Sequence, residues 1–220
     1  MFESSEIIYQ NKDWMALVFL IIFFVLTTLK ILFNERLFNT GTLFFSKKYL
    51  SIYFNKEKSN VLNLFQALFF LIQVLILSLL FYFIEAHYEL FREYSNFEAY
   101  VFIFIIIADY FCFRFLIGLF LSYILDLKPI YNKILYQKIS YFNNVVLWIL
   151  PFLIATAYTP ILRDFFYNIT IILFIFLLIF RYSLMIYNNK NLIFNNLFYF
   201  ILYLCALEIT PLVIILKLTI

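Results

Sequence analysis

Long apolar runs separated by short charged loops constrain the fold of this chain more than any other feature of its sequence. A helix needs about 20 mostly apolar residues to cross the hydrocarbon core of a bilayer. A transmembrane β-strand needs only about 10 residues of alternating polarity, and unbroken runs such as IILFIFLLIF lack that alternation. The pattern predicts about six membrane-spanning helices, near residues 14–33, 61–84, 99–121, 144–162, 165–187 and 193–216.

Composition supports the same class of protein. Hydrophobic residues make up 66% of the chain and charged residues 13%, whereas soluble domains carry about 25% charged residues. A bilayer requires an apolar exterior and leaves the charges to the loops. We therefore expect an all-α polytopic membrane helix bundle, formed as a single integral membrane domain over residues 1–220.

The loop charges predict how the bundle is oriented. Lys and Arg concentrate in the loops after the first, third and fifth predicted spans, whereas the N-terminus and the second loop are acidic. Since basic loops stay on the cytoplasmic side, both termini are predicted to be periplasmic. The basic, aromatic-rich segments 38–59 and 125–144 fit either amphipathic helices that lie on the cytoplasmic surface near anionic lipid headgroups or ordinary basic loops.

Four charged residues lie within predicted spans: Asp109, Arg114, Arg181 and Glu208. A charge at a helix centre costs about 2.5–3.5 kcal/mol on insertion scales, so it normally has a partner or a wet cavity. The two acids are predicted on the periplasmic side of the membrane centre and the two arginines about 10 Å from the cytoplasmic boundary, at about 1.5 Å of rise per residue. The acids could relay protons or cations, and the arginines could bind an anionic headgroup. Alternatively, Asp109 with Arg181, or Glu208 with Arg114, forms a structural ion pair between helices, or the arginines snorkel to the interface.

Uncharged polar residues and prolines also mark the spans. Gln66 and Gln73 lie seven residues apart on one face of the second predicted helix, where amides pack against a neighbouring helix through hydrogen bonds. Pro151 and Pro211 are predicted to kink their helices. Because Pro211 follows Glu208 by three residues, this kink could hold a cation or proton beside a freed carbonyl, or it could be an ordinary membrane-helix kink.

The residues required for catalysis are scarce. The single histidine, His87, lies in the acidic second loop, and the two cysteines, Cys112 and Cys205, lie inside apolar runs. We therefore predict no metal site and no cofactor. The basic residues form no aromatic-interleaved stripe of the kind that binds nucleic acid, so nucleic acid is not an expected partner.

Four segments resemble an uncharacterised family of multi-spanning inner-membrane proteins of Bacteroidota. They are DW at the start of the first span, FFSKKYL, ADYFCFR and the terminal LCALEITPLVIILK. The resemblance implies an inner-membrane location in a bacterium with two membranes, and it implies no established activity.

Two functional hypotheses are consistent with the sequence. The first is a non-enzymatic inner-membrane subunit or scaffold of an envelope-biogenesis or secretion assembly, whose partners are the lipid bilayer and other inner-membrane proteins. The second is a small proton-coupled transporter or lipid-handling protein, with anionic headgroups as possible ligands of Arg114 and Arg181. An integral-membrane enzyme ranks third.

Overall fold

The computed structural model describes most of the first 188 residues. The sixth predicted span, 193–216, lies outside the described residues, together with Glu208, Pro211 and Cys205. Most of the predicted cytoplasmic segment 38–59 lies outside them as well. The described ranges are 13–44, 63–88, 95–124, 128–159 and 162–188.

Over these ranges the chain is helical, which confirms the predicted all-α class for the described part of the chain. Each helix is long and apolar enough to cross a membrane. The ranges hold five such helices, one for each of the first five predicted spans. They are α1 (Asp13–Gly41), α2 (Leu64–Tyr88), α3 (Asn96–Ile124), α4 (Lys128–Tyr158) and α5 (Arg163–Asn188).

The largest departures from the predicted span bounds are in α1 and α4. α1 continues past residue 33 to Gly41 through a kink at Phe33, whose φ of −141° and ψ of 45° are not helical. α4 begins at Lys128 and runs without interruption into the fourth predicted span. Segment 128–144 is therefore the first half of a long helix rather than a separate surface element. It has this structure because most of its side chains from Tyr131 onward are buried in the bundle, including Tyr136 and Tyr141.

α2 and α4 form the centre of the bundle. α2 contacts α1, α3 and α4, and α4 contacts all four other described helices. Their facing sides bury branched and aromatic side chains, a packing that excludes both water and lipid. The most apolar stretch of α2 is 67% buried, against 11% for α3. The hydrophobic side chains at 0% exposure are Phe65, Phe69, Ile72 and Leu79 on α2 and Val145, Val146 and Leu153 on α4.

Two contacts, one at each end of α1, show that α1 and α2 are antiparallel. Trp14, at the start of α1, packs edge-on against Tyr82 near the end of α2, with 5.0 Å between the ring centroids. At the opposite end of α1, the guanidinium of Arg36 lies 3.9 Å from the centre of the Phe65 ring at the start of α2. We call these two ends of the bundle the Trp14 end and the Arg36 end. The loop charges predict that the Trp14 end is periplasmic.

Candidate functional site

A buried chain of amides joins the two central helices. Gln73 Nε2 donates a hydrogen bond to Asn143 Oδ1, and Asn143 Nδ2 donates to Gln66 Oε1 over 3.1 Å. The two glutamines lie two helical turns apart on α2, so Asn143 of α4 fits between them. All three side chains are buried. We call this group the amide chain. It bonds the central helices at a fixed register, because a slip along either helix would leave buried amides without partners.

The neighbouring residue, Asn144, binds α1. Its Nδ2 donates to the backbone carbonyls of Thr40 at 2.5 Å and Gly41 at 2.9 Å. Trp148 Nε1 lies 3.4 Å from the same Gly41 carbonyl. The last carbonyls of a helix have no partner within the helix. α4 therefore satisfies the C-terminal carbonyls of α1 with its own side chains, and the buried Asn–Asn pair fixes three helices at once.

Buried cations accompany these amides at the Arg36 end. Arg36, Lys138 and Arg181 are each less than 8% exposed. Arg181 Nη2 donates to the Lys138 carbonyl over 2.9 Å, and its guanidinium lies 4.7 Å from the centre of the Phe142 ring. A planar guanidinium beside an aromatic face is a favourable arrangement when water is excluded. The predicted candidate Arg181 is thus held against α4, in surroundings that stabilise its charge.

The other two described candidates lie on α3. Asp109 is exposed close to the middle of this 29-residue helix. Arg114 is half-buried, and its Nη1 lies 3.4 Å from the Tyr110 hydroxyl one turn earlier. Asp109 and Arg181 are not brought together within the described residues, since one is exposed on α3 and the other is buried against α4.

Asp109 lies within a continuous apolar stripe along α3, which we call the α3 stripe. Its members recur at intervals of three or four residues and therefore share one helix face. Cys112, one turn from Asp109, is also exposed on this face. The exposed hydrophobic members are Phe102, Ile105, Ile106, Phe113, Leu116, Phe120 and Tyr123.

A family model described as a domain of unknown function, DUF4271, matches residues 15–219. The chain belongs to the DUF4271 family. No curated protein and no solved structure matches it. The predicted membership of an uncharacterised family is therefore confirmed.

The DUF4271 match extends over all five described helices, so it includes both the amide chain and the α3 stripe. Sequence reasoning identified the glutamines and Asp109 but missed Asn143, Asn144 and the buried Lys138. The available signal was the Asn–Asn pair, a polar dipeptide that directly precedes the apolar run VVLWILPFL. Its position at the edge of a basic segment made it resemble part of a loop.

α4 stays helical through Pro151, which lies in the last third of the helix and removes one backbone donor there. Among the described residues, no group of three His, Cys, Asp or Glu side chains is placed to hold a metal ion. The amide chain, the buried cations and the α3 stripe can therefore make hydrogen bonds, charge interactions and apolar contacts with other groups.

Proposed function

We propose that this DUF4271 protein is a non-enzymatic subunit or scaffold of a bacterial inner-membrane assembly, and that the α3 stripe docks against a helix of another membrane protein. The proposal places it in envelope biogenesis or secretion in a bacterium of the Bacteroidota, with the termini in the periplasm. The exposed carboxylate of Asp109 in the middle of the α3 stripe carries the proposal.

Lipid and a partner helix are two different surroundings for that carboxylate. Facing lipid, a charged side chain near the middle of a span costs about 2.5–3.5 kcal/mol on insertion scales. The large apolar residues around it, such as Ile105 and Phe113, suit either lipid or another helix. A partner that supplies a base or an amide removes this cost, whereas lipid does not. The stripe is therefore better satisfied by a protein than by the bilayer.

The chemistry of Asp109 also specifies the occupant. The partner helix should present Lys, Arg, Asn or Gln at the depth of Asp109, surrounded by apolar side chains that fit between Ile106 and Leu116. Small residues on the partner helix would let it approach the bulky stripe closely.

Site-specific photocrosslinking tests this docking directly. A photoreactive phenylalanine at position 113, which is 66% exposed, should crosslink to one membrane protein in the native membrane. Phe176 on α5 is a matched control, because it is the same residue type and 60% exposed on a different helix. Asp109→Leu should abolish the position 113 crosslink while the bundle remains folded, since the side chain is exposed. Crosslinks that survive Asp109→Leu, that form equally from position 176, or that join two copies of this chain would refute the proposal.

A transporter or lipid-handling protein is the second candidate function. The observation that favours it is the group of buried cations at the Arg36 end, Arg36, Lys138 and Arg181, which are compatible with an anionic headgroup. This function predicts a monodisperse monomer or homodimer that retains anionic lipid after purification. It also predicts that Asp109→Asn abolishes transport in a folded protein.

A further inference from the structure

A polar cavity lies at the Trp14 end, away from both the α3 stripe and the amide chain. Its volume is about 120 Å³, which exceeds the share of a single water, about 30 Å³. The end of α2 contributes His87, the end of α4 contributes Thr156, and the start of α5 contributes Arg163, Asp164 and Tyr167. The remaining lining residues are Phe83 and Ala86.

Contacts between helices position the side chains that line this cavity. The His87 imidazole stacks on the Tyr167 ring with 4.5 Å between centroids and 19° between planes. The Thr156 and Thr170 hydroxyls lie 3.2 Å apart, which joins α4 to α5 beside the cavity. A titratable ring, a hydroxyl and two opposite charges therefore face one small space.

The two opposite charges, Arg163 and Asp164, are adjacent in the first turn of α5 and both line the cavity. Arg163 also acts electrostatically on the Tyr82 hydroxyl of α2. Arg163 is half-buried and Asp164 is exposed, so both side chains are accessible at the cavity mouth. A guanidinium and a carboxylate that line one small cavity match a ligand that carries both an anion and a cation.

The depth of the cavity indicates the source of such a ligand. Tyr88 and Tyr158 are exposed at the same end of the bundle, and exposed Tyr side chains are enriched at the level of lipid headgroups. We propose that the cavity binds a zwitterionic phosphate ester of the phosphoethanolamine class. Arg163 and His87 hold the phosphate, and Asp164 holds the ammonium group. This site is separate from the α3 stripe and shares with the proposed function only the placement of the bundle in a membrane.

Native mass spectrometry of the purified full-length protein tests this site. After delipidation, phosphatidylethanolamine or phosphatidylglycerol is added at matched concentrations, and soluble phosphoethanolamine is added as a competitor in a separate arm. We expect wild-type protein to retain phosphatidylethanolamine at least several-fold better than phosphatidylglycerol. Arg163→Gln should weaken this binding by about 10-fold, the value of one charge-assisted hydrogen bond. Asp164→Asn should remove the preference between the two lipids.

Matched controls change charges of the same two signs elsewhere. Lys30→Gln and Glu35→Gln alter exposed side chains on α1 toward the Arg36 end, away from the cavity, and should leave lipid binding unchanged. Competition by soluble phosphoethanolamine would assign recognition to the headgroup alone, whereas retention against it would assign recognition to the whole lipid. Equal binding of both lipids by wild-type protein, or wild-type binding by a folded Arg163→Gln variant, would overturn the proposal. Neither result bears on the Asp109 crosslink, so failure here is distinguishable from failure of the proposed function.

Discussion

Replacing Asn143 with Leu should destabilise the bundle through the amide chain. The substitution removes two hydrogen bonds between central helices, each worth about 0.6 kcal/mol and at most about 1.7 kcal/mol in a membrane protein. It also leaves the donor of Gln73 and the acceptor of Gln66 buried without Asn143, at about 1–3 kcal/mol for each group. These contributions add up to a loss of about 3–7 kcal/mol in the free energy of unfolding, less any energy that relaxation of the site recovers.

The informative comparison is with the triple variant Gln66→Leu, Gln73→Leu and Asn143→Leu. Replacing all the partners removes the unsatisfied groups together, so the triple variant should unfold within about 1 kcal/mol of wild type. Reversible unfolding in mixed detergent and sodium dodecyl sulfate micelles, followed by circular dichroism, measures these differences. The triple variant contains the same leucine at position 143, so overpacking by that residue would leave it destabilised too. A triple variant as unstable as the sum of its single variants would refute the argument.

Two further predictions concern close contacts at the Arg36 end. A Cβ at Gly118 would lie 2.9 Å from ring carbons of Tyr131 and closer still to its hydroxyl oxygen, whereas one at Gly41 would meet nothing within 4 Å. Gly118→Ala should therefore lower the thermal midpoint, and the control Gly41→Ala should lower it less. Tyr131→Phe should reduce the loss in thermal midpoint that Gly118→Ala causes. An equal loss with Tyr131 and with Phe at position 131 would contradict this contact. Asn144→Asp keeps the shape of the side chain but turns an acceptor toward the α1 carbonyls. It should therefore destabilise the bundle by about 1–3 kcal/mol in the same unfolding assay. An unchanged free energy of unfolding would contradict the capping role of Asn144.

The helical class and five of the spans followed from hydropathy, because a stretch long enough to cross a bilayer must be apolar whatever its neighbours are. Helix ends were less predictable. The beginning of α4 at Lys128 depends on buried partners for Tyr136 and Tyr141, which only the assembled bundle supplies. Similarly, the kink at Phe33 has no proline or glycine to mark it in the sequence.

The candidate site was predictable in part for the same reason. Charges within spans stand out in any sequence, so Asp109 and Arg181 were found. Which of them meet depends on how the helices rotate and pack. Asn143 contributes to the site only because α2 places Gln66 and Gln73 opposite it. The cavity beside Arg163 requires the end of α2 to meet the end of α4 and the start of α5, which lie far from it in sequence.

Co-purification from native membranes tests the central claim, that the α3 stripe docks on another membrane protein. The tagged protein is extracted in mild detergent, and its bound proteins are quantified by mass spectrometry for wild type, Asp109→Leu and a control substitution on α5, Phe176→Leu. The account predicts one membrane protein at near-equal amount with wild type and with Phe176→Leu, and its loss with Asp109→Leu. Purification of the wild-type chain alone, or a partner that is retained equally by Asp109→Leu, would contradict the account.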